Sequence, residues 1–197
     1  ELRKRLQAVE EEQREQTKKR NKLLYQSEHD ELTGLYNKRS LNRYLEDVFE
    51  ACKLNEKELG ILFLDIDYFK QLNDRYGHGK GDEGICAVAD TLKRIFPEDY
   101  VARYGGDEFL VVMTGRDLAY AMEHAELLCA GIREYKIPNE DSELEPWLTI
   151  SVGGVCAIPK EPNRVWDFLS AADNTLYEQK KEQKGKVRFY QGEGKYL

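Results

Sequence analysis

Asp99-Tyr100-Val101-Ala102-Arg103-Tyr104-Gly105-Gly106-Asp107-Glu108-Phe109-Leu110-Val111-Val112-Met113-Thr114 is the stretch on which the fold turns. Residues 99–103 and 109–114 are rich in β-branched and aromatic side chains and flank a Gly-Gly pair. That pattern predicts two antiparallel strands joined by a tight turn, with Asp107 and Glu108 at the turn's exit. Upstream, residues 59–64 form a short continuous apolar run, as expected of a strand buried on both faces, and it closes in Asp65-Ile66-Asp67. Asp65 and Asp67, two apart, could share a face of that strand or simply meet solvent at its end. If the hairpin pairs beside this strand, Asp65 and Asp107 converge at one sheet end. Converging carboxylates there make a hard-cation site suited to Mg²⁺ and phosphate. Gly105 and Gly106, lacking side chains, would let a triphosphate come close to the backbone.

Working outward, residues 38–53 carry an apolar stripe of Leu41, Tyr44, Leu45, Val48 and Phe49 at helical spacing. Helices are also predicted over 68–74, 82–96, 117–135 and 165–183, with Pro97 ending the second of these. Residues 76–79 read as a loop, 137–146 as an acidic connection, 148–157 as a strand and 187–190 as a closing strand. Two leading helices are thus followed by the order βααββαβαβ, an α/β architecture in which helices flank a mostly antiparallel sheet.

Residues 1–28 are dense in Glu, Gln, Lys and Arg without Gly or Pro and read as an extended N-terminal helix, set apart from a domain over 29–197. A heptad frame fits Leu2, Leu6, Val9, Gln13, Gln16, Arg20, Leu23 and Ser27, apolar at its ends and polar in its middle. It reads either as a weak coiled coil or as a solvated helix.

The net charge of −7 argues against a nucleic-acid binder with a broad basic face, but not against a polyphosphate bound through divalent cations. No apolar run is long enough to cross a membrane, and no apolar segment follows the opening charges as in a signal peptide, so a cytoplasmic setting is expected. The chain opens on Glu1 rather than Met, which suits a piece of a longer protein. Cys52, Cys86, Cys129 and Cys156 form no C-x-x-C pair and are expected as buried, reduced thiols; His29, His78 and His124 do not cluster as zinc ligands would. Gly79-Lys80-Gly81-Asp82-Glu83-Gly84 satisfies G-x-G-x-x-G but does not follow a strand, so it is not a dinucleotide fingerprint.

Beyond the acids, Lys70 can reach back from the helix after Asp67 toward phosphates. Asn73 offers donor and acceptor, and Asp82 can accept from an N–H pair such as the amide edge of guanine. Singly each reads as a surface residue or a helix cap; the spacing of all of them favours one site.

On these residues the chain resembles the GGDEF family of diguanylate cyclases. Arg103-Tyr104-Gly105-Gly106-Asp107-Glu108-Phe109 is similar to its signature loop, and Asp30-Glu31-Leu32-Thr33-Gly34-Leu35-Tyr36-Asn37 to its opening D-x-L-T-G-L-x-N. Asp65 to Asp74, Tyr76-Gly77-His78 and Gly81-Asp82 resemble its metal and guanine segments; Thr149 to Gly153 and Ala172-Asp173 with Leu176-Tyr177 resemble its later strand and helix. The resemblance covers about residues 29–190. It implies a nucleotide-cyclase, palm-like sheet and an enzyme that condenses two GTP into cyclic di-GMP, releasing pyrophosphate, as a homodimer with one GTP per protomer. It further implies Mg²⁺, two ions per site with Mn²⁺ as a substitute, held by Asp65, the carbonyl of Ile66, Asp107 and Glu108. Asp107 would also be the base for the attacking 3′-hydroxyl, and Lys70 would stabilise charge on the phosphates. Asn73 and Asp82 would read guanine with His78 beside the nucleoside, Gly105 and Gly106 would border the phosphates, and Lys180 would hold the terminal phosphates. An upstream sensor is implied, with neither nucleic acid nor membrane bound by this segment. A catalytically silent module that binds GTP or cyclic di-GMP as sensor or scaffold is the alternative, and a cyclase making a mixed guanine–adenine product a third reading.

Two positions depart from the family pattern. Phe96 stands where the inhibitory R-x-x-D motif ending at Asp99 carries Arg, so loss of that product-binding site is expected. After Lys180 the family's K-x-x-G-R-N is replaced by Lys180-Lys181-Glu182-Gln183-Lys184-Gly185-Lys186, which leaves the second phosphate-binding cation open between Lys184 and Lys186.

Overall fold

The computed structural model describes residues 2–192. Helix α1 (Leu2–Glu28) leads into the two-residue strand β1 (Tyr36–Asn37) and helix α2 (Lys38–Leu54). Strand β2 (Leu59–Ile66), helices α3 (Phe69–Tyr76) and α4 (His78–Ile95), and the hairpin of β3 (Tyr100–Arg103) and β4 (Glu108–Thr114) follow. Helix α5 (Leu118–Glu134), strand β5 (Ile150–Ala157), helix α6 (Val165–Glu182) and strand β6 (Val187–Phe189) complete the domain. One sheet of six strands results, in the order β1-β3-β4-β2-β5-β6. The three inner pairings are antiparallel, as expected, while both edge strands join in parallel, so the sheet is mixed.

Strand β2 holds the centre because its apolar run has no polar face to show. Leu62, Leu64 and Ile66 pack into one core with α4 and α5, whereas Ile61 and Phe63 face α2 and α6. Its partners alternate likewise, Val111 and Met113 to the first core and Leu110 and Val112 to the second. Helix α6 lies so close to β5 that a Cβ on Gly153 would stand 2.6 Å from the Cα of Leu176. A side chain cannot be fitted there without moving the helix.

Two local features differ from the sequence reading. Strand β1 is too short to show a period, and it exists because Tyr36 and Asn37 pair with Ala102 and Arg103. Residues 76–79 are not a loop: only Gly77 separates α3 from α4, and α4 begins at His78 rather than near residue 82. Gly77 takes φ +83, a turn in one residue that other side chains resist. Of the cysteines, Cys52 and Cys129 are buried, but Cys86 and Cys156 are only half-buried; all four are free.

Helix α1 is about 40 Å long. Its last carbonyls have no partners within the helix. Asn37 Nδ2 donates to the carbonyl of Ser27 at 2.9 Å and Ser40 Oγ to that of Glu28 at 3.0 Å. Asn37 Oδ1 also accepts the Ser40 N–H, so one side chain ends α1 and caps α2. Five rings then stack from helix into sheet, in the order Tyr25, His29, Tyr36, Tyr100 and Tyr44, with centroids 3.9–4.5 Å apart. Such pairs are worth about 0.5–1.5 kcal/mol each beyond the area they bury. The heptad positions Leu2, Leu6 and Val9 lie outside the residues whose side chains are described; Gln13, Gln16, Arg20, Leu23 and Ser27 are exposed.

The close approach at Gly153 gives a direct check. Gly153→Ala is expected to lower the urea midpoint, with a loss of about 2 kcal/mol or more. Gly79→Ala, where an added Cβ meets nothing within 4 Å, is expected to cause no loss.

Candidate active site

The site forms where β2 ends. Pairing with β4 sets Asp65 opposite Glu108, and the Ile66 N–H donates to the carbonyl of Asp107 at 3.3 Å. The backbone therefore brings Asp65, Ile66, Asp107 and Glu108 together. Lys180, from the last turns of α6, donates to Asp65 Oδ1 at 2.6 Å, with the Lys180 and Asp65 side chains only 26 % and 17 % exposed. An ammonium thus lies where a cation is electrostatically favoured.

The remaining acids feel one another. Burial raises the Asp107 carboxyl above its ordinary range and the Asp65 charge raises it further, against Lys180 and Arg103. Burial likewise raises Glu108, followed by the charges of Asp65, Asp107 and Asp173. Among the described residues no three His, Cys, Asp or Glu side chains are gathered into a ready-made metal cage. The donor set is instead carboxylates plus a backbone carbonyl, hard oxygens of the kind Mg²⁺ shares with phosphates and water. The crowding of negative charge, eased in the structure by Lys180, fits a divalent cation.

Asp67 is not part of this face. It lies past the strand end, 1 % exposed, and its carboxylate accepts from Thr149 Oγ1 at 2.9 Å and Ser151 Oγ at 2.7 Å. Burial raises its carboxyl, and the two hydroxyls work against the rise.

The turn itself is held from outside. Arg103 Nη2 donates to the carbonyl of Gly106 at 2.7 Å and its Nε to that of Gly105 at 3.1 Å. Its Nη1 donates to both oxygens of Asp30, at 3.1 and 3.2 Å. Thr33 also binds Asp30, through N–H and hydroxyl. Burial pushes the Asp30 carboxyl up, but the bonds from Thr33 and Arg103 outweigh it and leave the group below its usual range. A Cβ on Gly105 would stand 2.8 Å from Glu108 Oε2, whereas Gly106 borders open space.

The expected nucleoside residues lie on α3 and α4. Asn73 reaches across to α4 at Gly81, the residue before Asp82, and its buried Oδ1 has no hydrogen-bond partner among the described residues. Asp82, His78 and Lys70 are exposed, and the side chains of Lys70 and His78 make no hydrogen bond or ion pair among the described residues. Gly79, Gly81 and Gly84 lie within α4, not at a strand–helix turn. Lys184 places its ammonium 4.1 Å from the centroid of the Tyr68 ring. Lys186 is exposed, and its charge acts on Cys129 of α5, whose thiol burial pushes up to about 12. Phe96 is 1 % exposed in the core, and Asp99 accepts from Tyr120 Oη at 3.2 Å.

Sequence reasoning assigned no role in this construction to Arg103, Asp30 or Tyr68, and Asp67 neither shares a face with Asp65 nor meets solvent but turns into the interior. The signal for the first two was available: a long cation next to a Gly-Gly turn must bond something, and Asp30 opens the other shared motif. Nothing in the sequence marks Tyr68, a non-glycine residue at φ 54.

A family model described as "Diguanylate cyclase, GGDEF domain" matches residues 27–186. The chain belongs to the GGDEF family. It is 32% identical over 164 residues to the probable diguanylate cyclase DgcC of Escherichia coli (strain K12), covering 82% of this chain and 43% of that protein. It is 30% identical over 174 residues to the E. coli diguanylate cyclase DgcM, covering 88% of this chain and 41% of that one. The GGDEF chain therefore spans less than half the length of these curated relatives. Among solved structures, the coiled coil and GGDEF domain of DgcB from Caulobacter crescentus, in complex with c-di-GMP, superposes with a TM-score of 0.84 at 23% identity, over 95% of this chain and 98% of that one. Diguanylate cyclase SiaD of Pseudomonas aeruginosa, solved with its activator SiaC, gives 0.72 at 27% identity, over 95% and 72%.

The Asp30–Arg103 pair has a defined pH signature. A carboxyl whose folded pKa is depressed adds stability above its unfolded value, about 3.9, and loses it as pH falls through the folded value. Asp30→Asn is expected to cost about 1 kcal/mol at pH 7. The gap from the unmodified protein should close on acidification below about pH 4, as followed by thermal melts.

Proposed function

We propose that the domain is a diguanylate cyclase, condensing two GTP into cyclic di-GMP and pyrophosphate across a homodimer. The observation that carries this reading is the register that sets Asp65 against Glu108 and Ile66 against Asp107 at the end of the central strand. Membership of the GGDEF family and relatives named diguanylate cyclase support it.

Asp65, the Ile66 carbonyl, Asp107 and Glu108 would hold Mg²⁺, and Mn²⁺ accepts the same oxygen donors. Bound there, the metal supplies charge neutralisation and orientation of the reacting oxygens. Asp107 takes the proton from the attacking 3′-hydroxyl as general base. Attack falls on the α-phosphate of the second GTP, with pyrophosphate leaving in line. Lys70 would draw toward the phosphates, and Lys180, which bonds Asp65 in the structure, would turn to the terminal phosphates of bound nucleotide. Lys184 rather than Lys186 is the second phosphate cation, because it lies on Tyr68 beside Asp67 while Lys186 acts on the α5 side. Asn73 and Asp82 recognise guanine, with His78 beside the nucleoside and Gly105 and Gly106 next to the phosphates.

Helix α1, with Leu23 and Leu24 more than half exposed near its end, would pair two protomers and relay a signal from an upstream sensor. Phe96 is buried where the family's inhibitory motif carries Arg, and Asp99 accepts from Tyr120, which supports weak product binding at that position.

Incubation of the dimer with GTP and Mg²⁺, followed by chromatography, tests the proposal. Cyclic di-GMP should form, be inhibited only weakly by added product, and vanish in Asp107→Ala with the fold retained. GTP binding without turnover would instead identify a silent module.

A further inference from the structure

Asp67 is the only Asp or Glu classed as buried among the described residues, and the proposed chemistry gives it no task. Every polar group it owns is engaged. Its two carboxylate oxygens accept from Thr149 and Ser151, its N–H donates to the carbonyl of Thr149 at 2.9 Å, and its carbonyl accepts from Asn139 Nδ2 at 3.3 Å. Ser151 extends the network, because its Oγ accepts the N–H of Gly185 at 3.0 Å. A serine hydroxyl has one proton, so donation to Asp67 leaves its lone pairs facing the Gly185 N–H. Gly185 takes φ +74, and the bond to Ser151 holds the chain in that left-handed turn immediately after Lys184. On the other side Asp67 is bonded directly to Tyr68, whose ring carries the Lys184 ammonium. Two short routes thus run from one carboxylate to one lysine, the first through Ser151 and Gly185, the second through Tyr68.

We propose that Asp67 is a positioning residue for the triphosphate, holding Lys184 at the phosphate end of the site through Ser151, Gly185 and Tyr68. The inference rests on the assignment of Lys184 to the phosphates made above. An acceptor is required at both oxygens of residue 67. An amide would present a donor to one hydroxyl and reverse that bond; at Ser151 both lone pairs would then be shared between the amide and the Gly185 N–H, which weakens the link to Gly185. The consequence is a loosened Lys184, felt by a triphosphate and not by a monophosphate.

The test is calorimetric binding of a non-reactive α,β-methylene GTP analogue and of GMP, with Mg²⁺ present. It compares the full chain with its Asp67→Asn, Ser151→Ala, Lys184→Ala and Asp67→Asn/Lys184→Ala variants. Asp67→Asn should weaken the analogue about tenfold and leave GMP within about twofold. Ser151→Ala, which retains the Thr149 bond, should act in the same direction and carries the test alone if Asp67→Asn does not fold. In the Lys184→Ala background, Asp67→Asn should add nothing, because both changes remove one shared interaction. Unchanged analogue affinity in the folded Asp67 or Ser151 variants, equal losses for analogue and GMP, or losses that add to that of Lys184→Ala would overturn the positioning role alone. If Lys184→Ala itself leaves analogue affinity unchanged, the phosphate assignment of Lys184 falls and the role of Asp67 falls with it.

Discussion

The pairing of β2 between β4 and β5 is the constraint from which the site follows. A strand with apolar side chains on both faces must lie in the middle of the sheet, with helices above and below. Its polar end then emerges at the sheet's rim, and the neighbouring strand brings a turn bearing two more acids to the same place. Held together by backbone pairing, these charges cannot move apart; burial first and then the Asp65 charge raise the carboxyls of Asp107 and Glu108, and the cluster favours a cation. Lys180 answers part of that demand from α6, and α6 is itself fixed by its backbone contact with β5 at Gly153. The packing that stabilises the domain and the electrostatics that would bind metal-bound nucleotide are consequences of one topology.

A second chain of contacts joins the leading helix to this rim. Asn37 and Ser40 take the last carbonyls of α1, the ring stack runs from Tyr25 to Tyr44, and Asp30 grips the arginine that holds the Gly-Gly carbonyls. Each link is modest by itself. In series they form a contiguous path of packed and hydrogen-bonded groups from helix to turn, the kind of connection through which a shift of α1 would alter the loop.

Much of this could be read from the residues. The hairpin around Gly105-Gly106, the buried strand ending at Asp65 and the helices of the second half all have strong local periods, and the acids at their junctions are visible as spacing. What escaped depends on contacts remote in sequence. Strand β1 has two residues and exists only because β3 offers an edge. Helix α4 starts at His78 because Gly77 can turn alone, although residues 76–79 read as a loop. Asp67 could share a face with Asp65 at i, i+2 or meet solvent, yet the strand ends at Ile66 and Asp67 turns inward to the hydroxyls of Thr149, just before β5, and Ser151, on it. The Lys180–Asp65 contact spans 115 residues and has no local signature.

The carboxylates at the end of β2 are proposed to form a divalent-cation site. Titration with Mn²⁺ in the presence of the GTP analogue, followed by electron paramagnetic resonance, addresses this directly. The unmodified domain should hold Mn²⁺ in excess of what the nucleotide binds alone, and Asp65→Asn should lose that protein-held fraction while keeping its fold. Identical titrations for the two proteins would contradict the account.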